Sequence, residues 1–251
     1  MKGFWSSFLG CIVILVVAVI IVAVIAWSRV PDMLANTLSE KLKVPVQIKE
    51  MTFSLTEIGI DNIEIGNIPG GILHKAFSAK DILFKTPVNR YLEDKIVIEE
   101  IDVDDIYLGL EFDSAKGTDG NWTRIMKNIA PANEKQAKVE NGKSVFIKTL
   151  ILTNIKVDVV YRQEGGKVKR LPTIDKIVLT NISSENGLPM DQVMNSVLGQ
   201  MLKSVFLKQN LQNMLEGILN QQGTPLDNFI RPFRGLFNSR VDSTETPTRA
   251  A

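Results

Sequence analysis

Residues 98–106 read IEEIDVDDI, and the spacing of their branched side chains decides the fold. Ile98, Ile101, Val103 and Ile106 stand at steps of three, two and three, with acidic doublets Glu99-Glu100 and Asp104-Asp105 in the wider gaps. At 100 degrees per residue the four land at about 0, 300, 140 and 80 degrees, scattered round the axis, which excludes an amphipathic helix. As a strand, the inner two share one face and the outer two the other. One-residue bulges at the polar doublets would return all four to one side and sharpen the twist. Either geometry gives a strongly twisted sheet with a continuous apolar side.

The same template recurs at residues 60–68 (Ile60, Ile63, Ile65, Ile68), 147–155 (Ile147, Leu150, Leu152, Ile155) and 174–182 (Ile174, Ile177, Leu179, Ile182). A weaker copy places Ala79, Ile82, Phe84 and Pro87 at the same offsets. The apolar positions are mostly Ile, Val, Leu and Phe, and Gly, Pro and Asn bound the segments, which is strand chemistry. The chain is therefore read as mainly β with flanking helices, its strands forming a modular, twisted, groove-like antiparallel sheet.

Upstream, residues 3–28 carry no charge and residues 11–27 are almost purely aliphatic. About 20 such residues at 1.5 Å each span the roughly 30 Å hydrocarbon core, so residues 1–30 read as a single transmembrane anchor. Trp5 and Trp27 sit where interfacial aromatics belong, and Cys11 and Ile20 lie within the span. A cleaved signal peptide would have a shorter apolar region of about 7 to 15 residues and an A-x-A-like site. A lipoprotein would carry its apolar stretch before Cys11, and here it follows. The flanking basic residues, Lys2 against Arg29, Lys41 and Lys43, do not decide orientation.

Next, residues 31–43 hold Pro31 at a helix start and Met33, Leu34, Leu38 and Leu42 at helical spacing, a juxtamembrane helix ended by Pro45. Residues 44–130 form a β module that closes with a short helix N-capped by Asn121. Residues 131–143 are polar and charged, a linker or loop, and 144–188 continue the same sheet. Residues 189–238 form an amphipathic C-terminal region with one long helix over 190–221, its stripe running from Val193 through Val197, Met201 and Val205 to Leu211, Leu215 and Leu219. Phe229, Phe233 and Phe237 beside Arg231, Arg234 and Arg240 suit a membrane interface or a dock on the sheet. The tail, 239–251, has the composition of a disordered segment.

Charge and chemistry narrow the function. Twenty-nine basic residues balance 28 acidic ones, which leaves no electrostatic footprint for nucleic acid. The lone cysteine, Cys11, cannot build a disulfide or a thiolate metal site. The single histidine, His74, falls in a loop, and the carboxylates Glu99, Glu100, Asp102, Asp104 and Asp105 alternate along a strand without a calcium-loop glycine. No phosphate-binding loop, dinucleotide fingerprint, nucleophile elbow or zinc spacing occurs. The sequence predicts no catalytic residue, no metal and no cofactor. Asn121-Trp122-Thr123 and Asn181-Ile182-Ser183 match the glycosylation tripeptide, which has meaning only in a eukaryotic secretory lumen.

An N-terminal anchor, a first strand after KVPV (residues 43–46), the repeat IGIDNIEIGNIPGG (58–71) and an acidic and apolar strand leading to Gly120-Asn121-Trp122 together resemble the N-terminal module of AsmA-like envelope proteins. The resemblance covers roughly residues 5–130, with echoes of the strand repeat to Ile182. It implies a bacterial inner-membrane anchor, a body in the periplasm, and a twisted sheet whose apolar inside shelters acyl chains during phospholipid transport or outer-membrane assembly. On that expectation Ile63, Ile65, Ile101, Val103, Leu108 and Leu110 face lipid in the groove, and the partners are the membrane, phospholipid, and a further copy or an envelope protein. Six to eight strands about 4.8 Å apart extend only roughly 30 to 40 Å, too short for a full conduit. The alternative expectation is a non-enzymatic scaffold or assembly factor in which the same residues form a closed core.

Overall fold

A computed structural model describes residues 28–115, 119–129, 144–180, 182, 188–189 and 193–211. It opens with helix α1, Val30–Leu42, with Pro31 in its first turn. Pro is favoured there because its missing N–H would be unsatisfied anyway. The helix stops at Lys43, whose left-handed backbone (φ 58) lets its N–H reach the Ser39 carbonyl at 2.9 Å. Leu34 and Leu38 pack on the core and Leu42 is buried, whereas Met33, expected on the same stripe, faces solvent.

Strands β1 (Val46–Phe53), β2 (Glu57–Gly66) and β3 (Lys75–Lys85) form an antiparallel meander. A 3-10 turn at Val88–Leu92 leads to β4 (Lys95–Asp104) and β5 (Tyr107–Phe112). Helix α2, Asn121–Ile129, precedes the long strand β6, Ser144–Tyr161. Short β7 (Val168–Arg170), then β8 (Ile174–Thr180) and β9 (Leu188–Pro189), all return antiparallel onto β6. All belong to one nine-stranded sheet. Helix α3, Val193–Lys208, follows.

Two sequence expectations need correction. The sheet is mixed, because β6 runs parallel to both β4 and β5. A hairpin can join only antiparallel neighbours, whereas the long passage from β5 through α2 lets the chain re-enter in the same direction. The helix expected over 190–221 as one piece ends at Lys208. Asn210 turns left-handed (φ 56), and the Leu211 N–H reaches back to the Phe206 carbonyl at 2.9 Å, closing the last turn.

β4 and β5 behave as one strand with a bend. Their register with β6 keeps a constant offset of 49 residues, from Lys95 opposite Ser144 to Phe112 opposite Tyr161. β3 likewise pairs with both. The bend falls at the second polar doublet of the repeat, and its cause is visible in the other strands. Pairs on either side place Lys49 beside Asn62, Lys80 beside Asp105, and Asn154 beside Asp175, all in one row across the sheet. Asn62, Asp105 and Asn154 in that row have φ of 51, 51 and 50. Asn and Asp tolerate this left-handed region better than other residues that carry a side chain. Each strand spends two consecutive residues on the outer face there, so its apolar phase shifts without any change of register.

The consequence is the one-sided stripe. Ile98, Ile101, Val103 and Ile106 are all buried, as are Ile60, Ile63, Ile65 and Ile68, and Ile147, Leu150, Leu152 and Ile155. A second bend at Glu99-Glu100 and Lys148-Thr149 shifts the phase again, with Thr86 of the neighbouring connection buried beside it. The Thr86 hydroxyl accepts the Glu99 N–H at 3.2 Å. The doublets therefore act as in-register bends repeated in adjacent strands, where a bulge would insert a residue in one strand only.

Candidate functional site

The apolar side of the sheet carries the residues expected to meet lipid. Ile63, Ile65, Ile101, Val103, Leu108 and Leu110, expected to face lipid, are between 0 and 8% exposed. They share one cluster with Ala35 and Leu42 of α1, Trp122, Ile125 and Met126 of α2, and Met201, Leu202, Val205 and Phe206 of α3. Phe206 meets the Phe112 ring edge-on, with centroids 6.0 Å apart. The six residues expected to line a trough are thus buried within one apolar cluster: the repeat specifies one apolar side, and side chains of all three helices belong to it. Burial of each Leu or Ile there stabilises by about 1.5 to 3 kcal/mol relative to exposure.

The other expected site residues, Trp5, Cys11, Ile20 and Trp27 of the anchor and Phe229, Phe233 and Phe237 of the C-terminal region, lie outside the described residues. Among the described residues no helix is long and apolar enough to cross a membrane.

The outer face is charged and internally paired. Lys85 on β3 reaches Glu100 at 2.7 Å and Asp102 at 2.5 Å, and the two carboxylates hold its ammonium above the usual lysine range. Lys148 reaches Glu99 at 2.6 Å. The Thr153 hydroxyl donates to Asp104, which with the Asp105 backbone holds that carboxyl below its ordinary range. The acidic run that could suggest calcium thus neutralises lysines on neighbouring strands. Among the described residues no group of three or more His, Cys, Asp or Glu is placed to hold a metal ion. His74 is exposed in the β2–β3 connection.

Where the row of bends crosses β1 to β3, the outer face holds a shallow cavity of about 500 Å³. Lys49, Lys75 and Lys80 line it from three places, with Glu64, Asp105 and Asn62 between them. Lys75 is tied to Glu64 at 2.9 Å and Lys49 lies 3.8 Å from Asp61, so two of the three lysines have an acidic neighbour.

One polar cluster is invisible in the sequence pattern. Glu111 is 1% exposed, on the face opposite the apolar stripe, beneath the loop between β2 and β3. It accepts the Ile72 N–H at 2.9 Å, the Leu73 N–H at 3.2 Å, the Asn67 amide at 2.8 Å and the Arg162 guanidinium at 2.5 Å. Burial pushes its carboxyl up, but Arg162, the two backbone amides and Asn67 outweigh that and leave it below the ordinary range. Asn121, expected as a helix cap, serves this cluster instead. Its oxygen accepts the N–H groups of Glu111 and Trp122, and its amide donates to Asn67 and to the Gly109 carbonyl. A Cβ on Gly120 would stand 2.2 Å from the Glu111 carbonyl oxygen, so only glycine lets this strand and the helix entry meet. These bonds tie together groups far apart in sequence, and the cluster reads as a latch holding the β2–β3 loop, α2 and the β6 end together. The Gly-Asn-Trp sequence of the AsmA-like resemblance falls inside it.

No family model, curated protein or solved structure matches the chain.

Proposed function

We propose that this chain is a membrane-anchored envelope protein of AsmA-like type without enzymatic activity, a scaffold or assembly factor in outer-membrane biogenesis whose body stands in the periplasm. The observation that carries the choice of scaffold over conduit is the burial of Ile63, Ile65, Ile101, Val103, Leu108 and Leu110 at 0 to 8% exposure. A lipid channel presents such a face to its cargo, whereas here α1, α2 and α3 contribute side chains to it. The anchor rests on the uncharged stretch at residues 3–28. Among the described residues β1 has one strand partner, β2, so its second edge offers backbone groups for pairing with a partner or another copy.

A second reading keeps phospholipid handling. It is favoured by the unbroken apolar side running through all four copies of the repeat, on which an acyl chain would gain about 0.8 kcal/mol per buried methylene once the helical cover moved aside. Native mass spectrometry of the full chain, extracted from membranes in mild detergent and crosslinked in parallel, separates the two. The scaffold reading expects a lipid-free chain in a stable complex. Stoichiometric phospholipid surviving delipidation would replace it with the second reading.

A further inference from the structure

Three large apolar side chains stand in water at one end of the sheet. Leu55 is 88% exposed, Leu92 81% and Val88 36%. They come from two separate connections, Leu55 from the turn between β1 and β2, Val88 and Leu92 from the 3-10 turn between β3 and β4. The Val88 N–H donates to the Leu55 carbonyl at 3.1 Å, which joins the two connections into one surface. Tyr91, in the same turn, packs inward against the core and fixes the turn's outer side. A single exposed leucine is ordinary, but three large apolar residues on two hydrogen-bonded connections form a patch that marks an interaction surface.

The position of α1 identifies what that surface meets. Only residues 43–45 separate α1 from β1, and the two pack against each other, so the helix doubles back along the strand. Its 13 residues rise about 20 Å, against about 26 Å for the eight-residue strand, which brings Val30 and Ser28 towards the Phe53 end. Ser28 is where the uncharged stretch of residues 3–28 ends. Met33, 67% exposed, lies in the early part of the same helix. The charges at this end nearly balance, Arg29, Arg90 and Lys95 against Asp32, Glu57, Glu93 and Asp94, with no basic excess, and Arg90 is paired with Glu93 at 3.2 Å. The surface therefore suits an apolar phase more than an anionic headgroup or a charged partner.

We propose that this end of the sheet seats on the bilayer that holds the anchor, with Leu55 and Leu92 entering the lipid interface. The proposal rests on the membrane-anchored reading above. Two attachments, anchor and tip, fix the orientation of the body, so that the strands rise from the membrane and the Glu111 latch is held at the distal end.

The test uses the full chain carrying Cys11→Ser, reconstituted in phosphatidylcholine vesicles and labelled with an environment-sensitive fluorophore at Leu55→Cys, Leu92→Cys or Val178→Cys. Labels at positions 55 and 92 are expected to shift to the blue and to be quenched by spin-labelled lipid. Both effects should persist in about 1 M salt, where charge attraction is screened beyond roughly 3 Å. The label at 178, on the outer face, should remain in water. Labels at 55 and 92 as wet as that at 178, or blue-shifted but untouched by the lipid quencher as at a contact with another copy, would overturn the proposal. An alkaline carbonate wash of the same vesicles reports on the anchor separately. Release of the chain would overturn the anchored reading, and retention with wet labels would overturn only the seating of the tip.

Discussion

Asp105, at the bend between β4 and β5, and Asn154, opposite it on the parallel strand β6, share the same left-handed backbone conformation, with φ of 51 and 50, and the Asn154 amide donates directly to the Asp105 carboxylate. Lys156 lies 3.8 Å from the same carboxylate. The pairing makes the bend of each strand depend on that of its neighbour, and Asn62 repeats the conformation two strands further on. A side chain that resists positive φ at this row should therefore be costly even though the position is on the outer face.

Asn154→Val places a β-branched residue in that region and should destabilise by about 1 to 2 kcal/mol more than Asn154→Gly, which keeps the backbone free and loses only the side-chain hydrogen bond. Urea unfolding of both variants measures the difference. Equal stabilities would show that the bend does not depend on this conformation.

Glu111 gives a dependence on acid. Its carboxyl lies below the ordinary range in the folded chain, so the unfolded chain takes up a proton first as pH falls. Its contribution is complete above the ordinary glutamate value of about 4.3 and disappears as pH drops through the lower folded value. Unfolding free energy measured from pH 6 downwards should fall more steeply in the native sequence than in Glu111→Gln. Parallel curves would remove Glu111 as the source.

Gly120→Ala should destabilise by about 1 to 3 kcal/mol, because the new methyl meets the Glu111 backbone carbonyl at 2.2 Å and backbone must move. Gly70→Ala is the comparison, since it has open space around it and only the strain of its φ of 74. Thermal unfolding should rank Gly120→Ala as the larger loss, with slower-exchanging amides lost around Ile72 and Leu73.

The two faces should differ in weight. Leu150 is fully buried on the apolar side, and Leu150→Ala should cost about 2 to 5 kcal/mol. Lys148 and Glu99 make a 2.6 Å ion pair on the outer face with more than half of each side chain in solvent, and Lys148→Ala should cost less than about 1 kcal/mol. Denaturant midpoints of the two variants provide the check.

The apolar side was legible in sequence because the doublets sit at fixed offsets from Ile, Val and Leu, as in Glu99-Glu100 and Asp104-Asp105. That these doublets align across strands was not legible, since it depends on which strands pair and in which direction. The parallel placement of β6 is set by the passage through α2, and no local pattern in residues 144–161 distinguishes it from an antiparallel strand. Ile101 and Leu110 could be assigned to an apolar face but not to a covered one, because the cover comes from distant helices. The Glu111 latch escaped for a similar reason: Ile72 and Arg162, which satisfy it, lie 39 and 51 residues away in sequence.

Thiol labelling tests the covered face most directly. In the full chain carrying Cys11→Ser, single substitutions Ile101→Cys, Val103→Cys and Leu110→Cys are exposed to a small thiol reagent under native conditions and across a urea series. A closed core predicts negligible reaction until the denaturant range in which the whole sheet unfolds. Rapid labelling of all three in the native chain, slowed by added phospholipid, would contradict it and show an open trough.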